Sequence, residues 1–124
     1  MRYIFPKQAR RPRSEPFRRV YRRGQRHSVG PLFARLLLRQ DVADAERNGK
    51  RSRLGLSIGK RVGGAVVRNR WKRAIREAFR LHRHRLPVPC DLVIGVRWEA
   101  RDSEVEKVEE AFLQLVELVA LKVR

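Results

Sequence analysis

The segment from Gly63 to His84, GGAVVRNRWKRAIREAFRLHRH, constrains the fold of this chain more than any other. Glycine is an acceptable N-cap, so the spacing predicts a helix from about Ala65 to about His84. With Trp71 as zero and about 100° per residue, Ala74, Ile75, Ala78, Phe79 and His82 fall within about 80° of it and predict a buried face. Asn69, Lys72, Arg73, Arg76, Arg80 and Arg83 gather between about 100° and 200°, opposite the core. Arg68 and Arg70 flank the core on either side at the first turns. Lys60 and Arg61 lie just ahead of the helix start, where free backbone N–H groups already favour anions. Only Glu77 is acidic between Ala65 and Arg85. Without ion-pair lacing, such a face repels itself unless an external polyanion meets it.

Composition points the same way. The chain has 124 residues, one domain by length, and carries 31 Lys and Arg against 13 Asp and Glu, net +18. Residues 1–98 hold 27 of the cations and only six of the acids. The cationic surface therefore belongs to the first three quarters of the chain, and its scale points to nucleic acid. No apolar run approaches the roughly 20 residues needed to span a bilayer, and no apolar signal region follows the N-terminus, so a soluble, cytoplasmic protein is expected. Cys90 is the single cysteine. It excludes an internal disulfide framework and is expected to be a buried, inert thiol.

Residues 1–13, MRYIFPKQARRPR, lack an apolar period and read as a flexible basic arm, leaving 14–124 as the folded domain. Ser14, Glu15 and Pro16 predict a helix start and Gly24 its stop, with Phe17, Val20 and Tyr21 on one face. LFARLLLR (32–39), LGLSI (54–58) and DLVIGVR (91–97) predict strands, the first two joined by an exposed linker over residues 40–52. Ser103 and Glu106 have the spacing of a capping box. After them Val105, Val108, Phe112, Leu115, Val116 and Val119 predict a C-terminal helix packed by its apolar stripe.

GKRVGGAVVRNRWKRAIREAF resembles the signature of the bacterial ribonuclease P protein subunit, through Arg68-Asn69-Arg70, Lys72-Arg73 and Arg76. PFRRVYRRG is similar to that family's first helix, RLGLSIGKR to the strand leading into the basic helix, and CDLVIGVR to the strand after it. The resemblance implies an α+β fold, an α/β sandwich of the kind found in a ribosomal protein domain. It has a mixed four-stranded sheet, with a short extra strand near Arg26 to Val29, and three helices. The crossover through the basic helix is implied to be left-handed, against the general preference. The resemblance further implies a subunit of the endoribonuclease that removes the 5′ leader of precursor tRNA, with the catalytic centre and its Mg²⁺ on a large RNA subunit. Carried over, Arg68, Asn69, Arg70, Lys72, Arg73, Arg76 and Arg80, with Lys60 and Arg61, would meet that RNA. Phe17, Tyr21, Phe33 and Arg35 would line the leader cleft. Gly64 departs from the family's usual Asn before the helix. Arg35 stands where several relatives have an aromatic, and Phe33 is expected one register away from the cleft position. Pro12 and Pro16 leave the start of the first helix open.

From their spacing alone Phe17 and Tyr21 read as core, and their cleft role rests on the resemblance. A general RNA-binding module such as a ribosomal protein, or a DNA binder presenting Asn69 and its arginines to a major groove, are the alternative readings. An autonomous nuclease would need a carboxylate cluster or a nucleophile–base pair. The basic part offers only the isolated acids Glu15, Asp41, Asp44, Glu46, Glu77 and Asp91, so no catalytic residue is expected on the chain. His82 and His84 are poorly spaced for a metal and His27 is remote, so no metal site is expected.

Overall fold

The computed structural model describes residues 15–38 and 52–122, with side chains from Arg18 onward. In chain order it contains α1 (Glu15–Arg23), β1 (Gln25–Val29), β2 (Leu32–Leu38), β3 (Arg53–Leu56), a 3₁₀ turn (Lys60–Val62), α2 (Ala65–His82), a second 3₁₀ turn (Arg83–Arg85), β4 (Cys90–Val96), a third (Asp102–Lys107) and α3 (Val108–Lys122). The expected basic arm, the Ser14 cap and the 40–51 part of the linker lie outside the described residues. Ser52, placed by the sequence reading in an exposed loop, is buried, and its Oγ accepts the N–H of Cys90 at 3.0 Å.

The sheet runs β1-β2-β4-β3, antiparallel except where β3 lies parallel to β4. β1 and β2 form a hairpin through Gly30 and Pro31, with Gly30 at φ +55°, a conformation glycine adopts without steric cost. Gly24 ends α1 through its N–H to the Val20 carbonyl at 2.8 Å. A Cβ there would stand 2.5 Å from the Val20 oxygen and 2.9 Å from the Leu36 oxygen, so only glycine lets α1 turn this tightly into β1.

Strand alternation sends side chains to two faces. Ala34, Leu36, Leu92, Ile94 and Val96 join Trp71, Ile75, Ala78 and Phe79 of α2 and Val108, Phe112, Leu115 and Val119 of α3 in the main core. The stripes predicted for both helices are the ones that pack. Phe79 and Phe112 lock the two helices together edge to face, with centroids 6.1 Å apart and planes at 85°. Such a pair contributes about 0.5–1.5 kcal/mol beyond its buried area. On the other face Leu37 and Val93 meet Val20 of α1. Helices thus cover both sides of the sheet, as the resemblance implied.

The hand of the β3–α2–β4 crossover follows from one hydrogen bond. Ser57 N–H donates to the Ile94 carbonyl at 3.0 Å, so that carbonyl points toward the β3 side of β4. Ile94's side chain points toward α2. For an L-residue in an ascending strand, viewed with its side chain toward the observer, the backbone polar groups point right. Seen from α2, β3 is therefore right of β4 and the connection steps leftward, a left-handed crossover of the kind strongly disfavoured in general. The segment 57–64 separates strand from helix, so the twist of β3 does not dictate the path of α2.

Element ends shift from the sequence reading. β3 starts at Arg53 and stops at Leu56, β4 spans Cys90–Val96, and the extra strand begins at Gln25. α2 ends at His82, two residues short of the expected end, because Arg83–Arg85 tightens to 3₁₀ ahead of the prolines. The reciprocal cap before α3 is not Ser103 with Glu106. Glu104 Oε1 accepts the Arg101 N–H at 2.9 Å while Glu104 N–H donates to the Arg101 carbonyl at 2.9 Å.

Candidate nucleic-acid interface

α2 begins at Gly64, which offers no capping side chain, and its first turn contains no acid. The positive end of the helix is therefore left for an outside anion. Asn69, Arg70, Arg73, Arg76 and Arg80 are exposed, and Lys72 is half-buried. Arg68 and Arg70 differ in exposure. Arg70 is exposed, whereas Arg68 is half-buried and its Nε has no hydrogen-bond acceptor among the described residues.

Glu77 is not idle. Its two carboxylate oxygens accept a fork from Arg80, at 3.1 Å to Nε and 2.6 Å to Nη2. The Arg80 hydrogen bonds hold the Glu77 carboxyl below its ordinary range, and the same contact raises Arg80. Arg80 is thus partly neutralised, while among the described residues no acid reaches Arg68, Arg70, Lys72, Arg73 or Arg76. Arg83, expected on the outward basic face, is half-buried and partnered.

The second cationic surface is the α1 face of the sheet. Phe33 and Arg35 are two apart on β2, so both side chains lie on this face with Val93 and Leu37. The Arg35 guanidinium sits 4.8 Å from the Tyr21 ring centroid, and its Nη1 donates to the Tyr21 carbonyl at 3.4 Å. Tyr21, 38% exposed, lies over Arg35 on the α1 face of the sheet and outside the buried core. Phe17 is one helical turn before it on α1, and its side chain lies outside the described residues. On β1, Arg26 stacks over Phe33 at 4.8 Å. Phe33 lies flat across its register partner Gly95, where a Cβ would approach the ring to 2.4 Å.

Lys60 and Arg61 occupy the exposed turn that joins the two surfaces, leading from the end of β3 to the start of α2. Beside it a groove of about 540 Å³ runs between Arg26, Phe33, Ser57, Arg61 and Trp98. The sequence reading missed Arg26 and Trp98. Counting back from the Gly30-Pro31 turn would have placed Arg26 opposite Arg35, but no local pattern marked the lone Trp98.

Several titratable groups among the described residues are engaged within the fold. Asp91, 1% exposed, accepts from Arg53 Nε at 2.9 Å and Nη2 at 2.7 Å. Burial, with a smaller contribution from Asp91, pushes the Cys90 thiol up to about 12, which removes it as a nucleophile at neutral pH. His82 Nε2 lies 2.6 Å from Glu109 Oε2, tying α2 to α3. Burial lowers the pKa of His27, helped by the charge of Lys122. Among the described residues no group of three His, Cys, Asp or Glu is placed to hold a metal, and no helix is long and apolar enough to cross a membrane.

Comparison with known proteins agrees with this geometry. Residues 5–119 match the family described as Ribonuclease P. The chain is 33% identical over 117 residues to the ribonuclease P protein component of Dictyoglomus turgidum, covering 93% of this chain and 92% of that protein. It is 39% identical over 111 residues to that of Desulfotalea psychrophila, covering 89% and 85%. Its fold is similar to that of the Staphylococcus aureus RNase P protein, with a TM-score of 0.71 at 24% identity over 95% of both chains. It is also similar to the RNase P protein from Thermotoga maritima, with a TM-score of 0.67 at 24% identity over 86% of this chain and 92% of that one. A +18 chain whose basic helix and cationic sheet face meet at one turn, matched over nearly its whole length, belongs to the bacterial ribonuclease P protein component family.

Proposed function

We propose that this chain binds the catalytic RNA of ribonuclease P through the outward face of α2 and holds the single-stranded 5′ leader of precursor tRNA on the α1 face of the sheet. On this reading Arg68, Asn69, Arg70, Lys72, Arg73 and Arg76 meet the RNA subunit, with Arg80 contributing less because Glu77 competes for it. Lys60 and Arg61 bridge to the leader, and Phe17, Tyr21, Phe33 and Arg35 hold it. Stacking suits a leader of variable sequence, because every base offers a π-face. The protein supplies binding and positioning in the bacterial cytoplasm. On this reading cleavage and the Mg²⁺ it uses belong to the RNA subunit, as the resemblance implies.

The observation that carries this reading is the basic helix with a single acid, forked to one arginine, joined by the Lys60–Arg61 turn to a sheet whose opposite face bears stacked Arg–aromatic pairs. A freely projecting DNA-reading helix does not fit, because α2 buries Trp71, Ile75, Ala78 and Phe79. The test is reconstitution with a bacterial ribonuclease P RNA at low magnesium. Cleavage at the mature 5′ end should depend on this chain, and a preference for duplex DNA over leader-bearing precursor would overturn the proposal.

A further inference from the structure

Trp98 is 57% exposed, yet it is not on a loose loop. Arg97 N–H donates to the Pro31 carbonyl at 2.9 Å and Ala100 N–H to the Arg97 carbonyl at 2.9 Å, so the turn carrying it is tied to the β1–β2 hairpin and closed on itself. The core has no use for its ring. Arg61 lies over that ring at 4.6 Å, the third Arg–aromatic pair after Arg35 with Tyr21 and Arg26 with Phe33. The second and third pairs line one groove, together with Ser57. By strand register the three follow one another along the sheet: Arg35 pairs with Val93, Phe33 with Gly95, and Trp98 lies just beyond Val96. At about 3.4 Å per residue the line is roughly 17 Å long. Glu99 also lines the groove, but its carboxylate is turned toward Arg97 Nε at 3.8 Å.

We infer that Trp98 and Arg61 form a further nucleotide subsite, which stacks a base of single-stranded RNA and extends the track begun by Tyr21 and Phe33. A fixed, exposed indole under the Arg61 guanidinium, in a groove that Arg26 and Arg97 also line, matches what sequence-tolerant single-strand binding uses: a π-platform for the base and cations for the phosphate. Continuity with the Phe33 pair makes the occupant the same strand that crosses the sheet face. The inference therefore rests on the reading of that face as the leader cleft.

The test is the affinity of the reconstituted holoenzyme for precursor tRNAs with leaders of increasing length and for mature tRNA, using the wild-type chain, Trp98→Ala, Trp98→Phe and Tyr21→Ala. Trp98→Ala should bind short-leader precursor and mature tRNA normally but weaken roughly 5- to 150-fold on long leaders, as expected when one base loses its stacking platform. Trp98→Phe should recover most of that affinity. If Trp98→Ala keeps the full gain with leader length while Tyr21→Ala loses it, the subsite is refuted and the cleft stands. If the wild-type chain gains nothing with leader length, both fall. Equal weakening of Trp98→Ala on every substrate assigns the residue to the structure of the turn and also overturns the inference.

Discussion

Arg26 and Arg35 are register partners across the β1–β2 ladder, side by side on the same face of the sheet, and each lies 4.8 Å from an aromatic ring. Like charges placed directly opposite in an antiparallel pair destabilise it by a few tenths of a kcal/mol to about 1 kcal/mol. The aromatic rings offset part of that, and a phosphate between the guanidiniums would remove it. The free protein should therefore respond to salt in the opposite sense to its complex. Thermal melts of the free chain from about 50 to 500 mM KCl should show a rising Tm, because screening relieves the +18 self-repulsion, while RNA affinity falls over the same range. A Tm that falls with salt would contradict this picture of uncompensated charge.

Gly95 is the floor beneath Phe33. A Cβ at this position would come within 2.4 Å of the ring and 2.6 Å of the Ser57 carbonyl. Gly95→Ala should cost about 1–3 kcal/mol in chemical denaturation, as overpacking usually does. It should also tilt Phe33 off the sheet, so leader-dependent affinity should drop more than affinity for mature tRNA.

Arg68 and Arg70 separate phosphate binding from packing. Each Ala variant should make the dependence of log K on log salt shallower by about 0.7–0.9 for every phosphate that is no longer neutralised. Arg70 is exposed, so Arg70→Ala should leave stability within about 0.5 kcal/mol of wild type. Arg68→Ala should cost about 1 kcal/mol as well, because its half-buried stem packs at the flank of the core. Equal stability of the two variants, read from urea midpoints, would refute the distinction.

Cys90 carries a pH signature. Its native thiol is raised from the ordinary 9.0 to about 12, first by burial and then by Asp91. The native state therefore keeps the proton that the unfolded chain releases. Stability is unaffected below about pH 9 and falls as pH rises from there toward about 12. Melts from about pH 8 to 11 should show a steeper decline for wild type than for Cys90→Ala, and parallel slopes would mean that the thiol ionises freely in the fold.

What was legible in the sequence was periodic. The inward stripe of α2 through Trp71, Ile75, Ala78 and Phe79, and that of α3 through Val108, Phe112, Leu115 and Val119, could be counted from residue spacing, because a helix buries whatever recurs every three or four residues. The basic outer face was legible for the same reason, and with it the need for a polyanion. The pairing of Arg80 with Glu77 was not legible, since it depends on rotamers that a wheel does not show.

The order of the strands was not legible in residue spacing, and the hand of the crossover was available only through the family resemblance. That β4 inserts between β2 and β3, and that the crossover into it is left-handed, is decided by which apolar faces find each other across long stretches of chain. The same holds for the cleft. Strand alternation puts Phe33 and Arg35 on one face, but only the packing of Val20 against Leu37 and Val93 brings Tyr21 down over Arg35. Likewise, only the hairpin register sets Arg26 against Arg35. Sequence determined the charge, the buried stripes and the family of this protein. Tertiary packing decided which cations stand together, because a charge is a property of one residue while a binding surface depends on residues far apart in the chain.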